Sequence, residues 1–521
     1  PQAKSTINET GATSASQCVC KQGSWRDASE GCWRRGYFES QSECFVCPKG
    51  ANCSGMSNHG MRVEELSPLA GFWRPYNTSL NFTDCRVGYR GIHGTEYAKA
   101  RCAPRGSAKG ERCAHGYNGP LCMTCSPGFT RVRDDCQICG EGNIRVADVS
   151  AKDILLYIVL PVCGLYYVVI LLLSCCTYVR AHRHSLRSVG DSGDSPCAQN
   201  CRQITEQVVI LISWAQIVSL VPVTFDSVPW PKMYVDFAFG VSIVNFDITD
   251  FVSGIDCSLS LEYLTRLQAH MCVPVIIIAV SKLAQLTLWL IAKCSRCACD
   301  HCTRNSLATL KAFADVDATM YTLLLLIHPS LSQRLFTIFD CQAIAGIAND
   351  GDPIHFLARD FNIKCYSDEH MDVVWQVVGT IAIFCVGVPV MLLWDLYRNR
   401  KDLHEEDAAT TLSRTPSKNH DRHVLTEHRL GNLYKSYETS YWWMEVAILY
   451  YKVFLTGVLT VIAPGSPIQL LVALIVCFGF LVAISHLAPY TGDDADVLSF
   501  LCTISLCFTI LDGFFESSFN M

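Results

Sequence analysis

Long apolar runs separated by short polar stretches dominate the chain after residue 150, whereas before it the apolar runs are short and cysteine and glycine recur. The runs are Ile154 to Val179, Val208 to Val223, Cys272 to Ala292, Ala314 to Ile338, Val373 to Leu396, Trp442 to Ala463, Ile468 to Ala488 and Val497 to Leu511. They predict about eight transmembrane helices, because a helix of about 20 apolar residues crosses a hydrocarbon core about 30 Å thick. Pro464-Gly465-Ser466-Pro467 joins two of these runs and cannot continue a helix, so residues 441–513 are expected to hold a hairpin and a last helix. The expected fold class is an all-α polytopic membrane domain preceded by a small disulfide-rich ectodomain of loops and short strands. Its predicted divisions are an ectodomain at 1–143, a first span at 153–179 and helices two to five at 203–397. Outer loops are expected at 225–271 and 339–371, and a mobile cytoplasmic linker at 398–440.

A few polar residues interrupt the apolar runs, and these are the candidate chemistry. Glu445 and Lys452 stand seven apart, on similar faces of one helix. Gln216, Lys282, Gln285, Asp315 and Asp317 lie in other runs. An unpaired charge in lipid costs at least about 2.5–3.5 kcal/mol, so such residues face protein or water and mark functional sites. The blander alternative puts Glu445 at headgroup level and Lys452 against a partner on another helix. The run 314–338 also carries His328, Pro329 and Arg334, so it must be wrapped by other helices, and whether it crosses stays open. No run repeats Arg or Lys in the manner of a voltage sensor.

Thirteen cysteines precede Asn143, a density that implies a disulfide framework in an oxidising compartment. Their odd number requires a partner elsewhere. Cys341 and Cys365 bracket one outer loop, and Cys257 and Cys272 are a second candidate pair. Sequons at Asn8, Asn52, Asn77 and Asn81 cluster in the same segment and imply an N-glycosylated outer side. Basic flanks at Arg180 to Arg187, Lys293 to Arg304 and Arg398 to Lys401 imply inner ends. In the second of these, Cys294, Cys297, Cys299 and Cys302 with His301 admit palmitoylation, zinc or plain thiols; Cys175 and Cys176 admit palmitoylation likewise. Asp226, Asp236, Asp247, Asp250 and Asp256 give an outer loop an acidic face, which reads either as cation attraction at a pore mouth or as ordinary surface carboxylates. Those carboxylates or the ectodomain admit calcium; no cofactor or resident metal is otherwise expected.

Composition agrees: of 521 residues 50% are hydrophobic and 17% charged, with 30 cysteines and a net charge of −6, which gives no basis for nucleic-acid binding. The chain opens on Pro1 without an initiator Met or signal peptide, so a processed or longer precursor is expected. No nucleophile-base pair, phosphate loop or open metal site is evident, and an enzyme is not expected.

The spacing Cys113-Ala-His-Gly116-Tyr117-Asn-Gly119-Pro120-Leu-Cys122-Met-Thr-Cys125, followed by Cys136 and Cys139, resembles laminin-type EGF-like modules. Cys44-Phe-Val-Cys47-Pro48-Lys-Gly50 with Cys53 resembles the ephrin-receptor-like repeat. Gln216, Trp230-Pro231, Tyr434 to Glu445, Lys452, Gln469 and Pro489-Tyr490 resemble, in order and spacing, the TRP-like region of protist and algal cysteine-rich membrane proteins, similar to fungal flavin-carrier relatives. That resemblance implies a cation channel or channel-like transport subunit with a sensing or tethering ectodomain, at the plasma membrane or a ciliary or other cell-surface membrane. It departs from TRP channels in that only Pro464 to Pro467 join the hairpin, too short for a re-entrant filter, so any pore is lined by helix faces. The alternative is a non-conducting anchor of a cysteine-rich stalk, adhesin or filament; a receptor is a third reading. The implied partners are the bilayer, N-glycans, and other copies or other membrane and extracellular subunits.

Overall fold

The computed structural model describes residues 5–7, 18–20, 24–26, 45–46, 48–52, 61–62, 66–76, 79–85, 100–102, 113–132, 135–138, 163–172, 196–228, 230–245, 263–298, 306–344, 354–403 and 416–519. The chain divides into a cysteine-rich unit (Pro1–Arg145, Ser253–Cys257 and Phe339–Met371) and a helical unit (Val146–Val252, Ser258–Ile338 and Asp372–Met521).

The cysteine-rich unit is built from two- to five-residue strands, too short to stand without staples. Disulfides Cys85–Cys102, Cys113–Cys122 and Cys125–Cys136 supply them, and Cys341–Cys365 closes the late segment as the sequence predicted. That late segment is an antiparallel sheet of β1 (Cys341–Ile344), β2 (Ile354–Leu357) and β3 (Asp360–Lys364). It is not a free loop. Ile344, Phe356 and Phe361 share one core with Trp73, Leu121, Met123 and the Cys85–Cys102 bridge. The buried Arg74 is satisfied by the carbonyls of Leu66 and Ser79, at 2.6 and 2.8 Å. Asn81 is exposed and Asn52 half-buried in a strand, while Asn8, Asn77 and Cys139 lie outside the described residues.

The helical unit holds α1 (Cys163–Leu172), α2 (Pro196–Thr224), α3 (Lys232–Val241), α4 (Tyr263–Ala298) and α5 (Ser306–Phe336). After the sheet come α6 (Asp368–Thr380) and α7 (Val388–Asn399), joined by a π-helical stretch Ile381–Gly387. Then follow α8 (Pro416–Tyr434), α9 (Met444–Thr456), α10 (Pro467–Leu487) and α11 (Asp493–Phe519). Five described helical stretches are long and apolar enough to cross a membrane: Gln203–Thr224, Tyr263–Ile291, Asp368–Asp402, Pro467–Leu487 and Asp493–Ser518. This is a membrane protein by that measure. Charges keep α5 out of that set, although it runs unbroken through Pro329.

Three expectations are corrected. The helix expected over Trp442 to Ala463 ends at Thr456 and passes into a 3-10 turn at Val458–Thr460. The break falls at Gly457, where a Cβ would lie 2.7 Å from the Phe336 ring and 3.0 Å from the Val453 carbonyl. The stretch expected as a mobile linker is helical from Pro416. Cys272 carries a free thiol and is not bridged to Cys257, which lies outside the described residues. The physical reason is that α4 begins at Tyr263, which moves Cys272 from the expected outer end of the run to the third turn of the helix. Cys175 and Cys176 also lie outside the described residues, and Cys294 and Cys297 fall in the helical backbone of α4.

The main apolar core joins α2 (Ile217, Val218, Val221), α9 (Tyr451, Leu455), α10 (Leu470, Ala473, Leu481) and α11 (Leu506, Ile510). Against lipid, close packing through small residues replaces the hydrophobic drive. Gly513 of α11 illustrates it, since a Cβ there would stand 2.6 Å from the Trp230 ring.

Candidate functional site

The polar residues inside the apolar helices form two separate lysine sites, and α5 serves both. In the first, Lys452 of α9 is 5% exposed. Its Nζ donates to Ser213 Oγ at 2.8 Å and to Gln216 Oε1 at 3.3 Å, both on α2. Gln216 is itself buried and spends its Nε2 on carbonyls, Leu326 of α5 at 2.8 Å and Val244 at 3.4 Å. No described carboxylate lies within ion-pair distance of Lys452. A buried ammonium whose hydrogen bonds go only to neutral oxygens is costly, even with the Glu445 carboxylate acting on it from beyond ion-pair distance. The chain nevertheless keeps one. The polar seam continues on both sides of it: Thr224 donates to the Thr456 carbonyl at 3.1 Å, and Gln469 reaches the Thr224 and Leu459 carbonyls at 3.2 and 2.8 Å. On the α2 face, Asn245 Nδ2 donates to Ser219 Oγ at 2.8 Å while its Oδ1 is buried without a partner.

In the second site, Lys282 and Gln285 of α4 meet Asp317 of α5. Lys282 Nζ lies 2.9 Å from Asp317 Oδ1, which also accepts from Gln285 Nε2 at 2.8 Å. Gln285 Nε2 reaches the Phe313 carbonyl at 3.2 Å, and its Oε1 accepts from Lys282 at 3.0 Å. This pair is open, with the Lys282 side chain 54% and Asp317 19% exposed. A cavity of about 190 Å³ borders Asp317, Asn399 and Arg429.

No protein-family model, curated protein or solved structure matches this chain. Its possible chemistry rests on the two lysine sites and on what adjoins them.

Lys452 finds its partners on another helix, α2, and Glu445 acts on it only as a nearby charge, without an ion pair. Glu445 instead accepts from the Tyr437 hydroxyl at 2.6 Å, ahead of α9. Burial, with the Glu445 carboxylate adding to it, pushes the Tyr437 phenol well above its ordinary value, so it remains a donor. Asp315 likewise stands apart from Asp317: its Oδ1 lies 2.8 Å from His428 Nδ1 of α8, and its Oδ2 is buried without a partner. Helix α8 is docked by further polar contacts. Arg429 pairs with Asp395, which also accepts from Tyr321 at 2.9 Å, and Asn432 donates to Thr322 at 3.1 Å. Lys435 pairs with Glu427. Burial opposes ionisation of Glu427, but the Lys435 hydrogen bond and charge, with His423 and His428, outweigh it and hold the carboxyl below its ordinary value.

Two parts of this arrangement carried no sequence signal, and a third, His328, was visible only as an interruption of its run. Ser213 is neutral and gave no signal. Asp395 and Arg429 lie outside the uninterrupted middle of any run. His328, fully buried, binds the Phe384 carbonyl at 3.2 Å and stacks on that ring at 4.7 Å. Phe384 belongs to the π-helical stretch, where the helical ladder is displaced and a carbonyl is free to accept from outside. Ser332 bridges His328 Nδ1 at 3.4 Å and Cys385 Sγ at 3.2 Å.

Proposed function

We propose that this chain is a channel-like cation transport subunit of a cell-surface membrane, with the cysteine-rich unit as its outer sensing or tethering module. The observation that carries the proposal is Lys452, an ammonium buried among helices with only Ser213 and Gln216 as acceptors. A purely structural base gains nothing from such a residue, since an apolar side chain of its size would pack there at less cost. The π-helical stretch beside His328 supports the same reading, because π turns recur at functional sites and let a helix change register locally. Asp317, which lines a cavity, and its partners, the exposed Lys282 and the half-buried Gln285, are the proposed cation-facing group.

We read eight crossings, adding α1, α5 and α9 to the five long apolar stretches. Support comes from the shared core of residues 341–364 with the N-terminal disulfides. Both parts of that core lie on one face of any bilayer, so the chain between them crosses an even number of times; α1, α2, α4 and α5 make four. The short α9 is continued by its 3-10 turn and returns through α10, whose end meets the segment before α9 by Glu438 N–H to the Pro489 carbonyl at 2.9 Å. The sequon at the exposed Asn81 and the basic flanks support the reading of the cysteine-rich side as the outer one.

The test is reconstitution of the purified protein in planar bilayers. Cation current that falls several-fold in Asp317→Asn supports the proposal; absence of current from folded, oriented protein under voltage, stretch and calcium overturns it. One observation favours the anchor reading instead: the outer sheet is built into the cysteine-rich core, as a load-bearing base for a stalk requires. Under that reading, disrupting Cys341–Cys365 detaches or unfolds the outer unit without any loss of current.

A further inference from the structure

Two cysteines that take no part in either lysine site meet between α10 and α11. Cys477 and Cys507 are buried, 0% and 8% exposed, with their sulfurs 3.2 Å apart. Both are free thiols. The Tyr451 hydroxyl lies 3.2 Å from Cys477 Sγ, and its ring stacks on Phe480 at 3.8 Å. The two helices run side by side from the turn that joins them, so the thiols face each other from a pair of rigid, neighbouring backbones. Disulfide formation needs the sulfurs about 2.05 Å apart. The remaining distance is about the reach of a side-chain rotation.

We propose that Cys477 and Cys507 are a redox-responsive dithiol that closes to a disulfide stapling α10 to α11. The oxidant is a small neutral peroxide, because the site lies inside an apolar bundle where charged thiol-disulfide reagents do not enter. The more accessible Cys507 attacks one peroxide oxygen, forming a sulfenic acid and releasing water. The Cys477 thiol then attacks that sulfur, the S–S bond forms and a second water leaves. One hydrogen peroxide is reduced to two waters as two thiols are oxidised to one disulfide. Closure removes the thiol partner of Tyr451, the residue next to Lys452, and so reaches the first lysine site through one peptide unit.

The experiment uses the full chain in detergent, reduced, treated with hydrogen peroxide, quenched by alkylation and digested without reductant for mass spectrometry. The expected product is a Cys477–Cys507 linked peptide pair, lighter by two hydrogens, about tenfold more abundant than any other pair formed among the free cysteines and lost on reduction. Cys477→Ser and Cys507→Ser each abolish it, with Cys477→Ala and Cys507→Ala as apolar replacements should either serine variant not accumulate; Cys502→Ser leaves it intact. The exposed Cys272 reports in the same sample that oxidant acted. Recovery of both Cys477 and Cys507 as free thiols while Cys272 is oxidised overturns the proposal, as does linkage of either to another cysteine.

Discussion

The two lysine sites are built on one plan and finished in opposite ways. Each lysine donates to a glutamine, and each glutamine spends its amide on a carbonyl of α5, Leu326 in one case and Phe313 in the other. Lys282 adds Asp317 and is half open, whereas Lys452 has no carboxylate partner among the described residues and is buried. An exposed ion pair contributes little to stability and is cheap to keep. A buried ammonium among neutral acceptors is expensive to keep, so its retention points to use rather than to structure.

The comparison breaks most readily at the glutamines. Gln216→Leu leaves Lys452 with one acceptor and frees the Leu326 carbonyl, and is expected to cost about 3 kcal/mol of stability. Thermal unfolding in detergent, followed by tryptophan fluorescence, measures it. Gln285→Leu removes the matching contacts at the open site, where water replaces them, and is expected to cost about 1 kcal/mol in the same assay. Equal losses would erase the distinction between the sites.

Much of both sites was legible because charge and amide stand out in apolar runs: Lys452, Gln216, Lys282, Gln285 and Asp317 are all visible that way. Their partnerships were not. Lys452 and Gln216 are 236 residues apart, and helical periodicity carries no information about which helix faces which. The spacing of Glu445 and Lys452 suggested a shared face, yet Tyr437 takes Glu445 from outside the helix. Cys341 and Cys365 were legible as a loop closure, but not the burial of Phe356 and Phe361 in the N-terminal core, which depends on chain segments more than 200 positions away. Helix α8 was hidden because its buried apolar residues, Leu430, Leu433 and Tyr434, fall only in its last turns, and the rest of its packing on α5 is polar.

Smaller effects sharpen the same contrast. Asp317→Asn is expected to shift stability by less than about 1 kcal/mol, because Lys282 is solvated. Unfolding curves of the two proteins check it, and a larger loss would mean that the open pair is shielded. At the α8 end the effect is pH-dependent. The Glu427 carboxyl is held below its ordinary value by Lys435, His423 and His428 of the same segment, so its contribution to the end of α8 is complete above the unfolded glutamate pKa, about 4.3, and is lost as pH falls through the lower folded value. Hydrogen exchange of α8 amides should therefore stay slow at pH 5 and accelerate below about pH 4, and Glu427→Gln should weaken that dependence without abolishing it, since Asp395 and Asp315 also hold α8.

The most direct measurement pairs stability with conduction in Lys452→Met, which keeps the volume and removes the charge. Unfolding temperature unchanged or raised, with cation current lost or altered in selectivity, is the predicted result, since a buried ion exchanged for an apolar side chain is often neutral or stabilising. A strongly destabilised variant that conducts as the unsubstituted protein does would contradict it, and would make Lys452 a structural residue of the bundle.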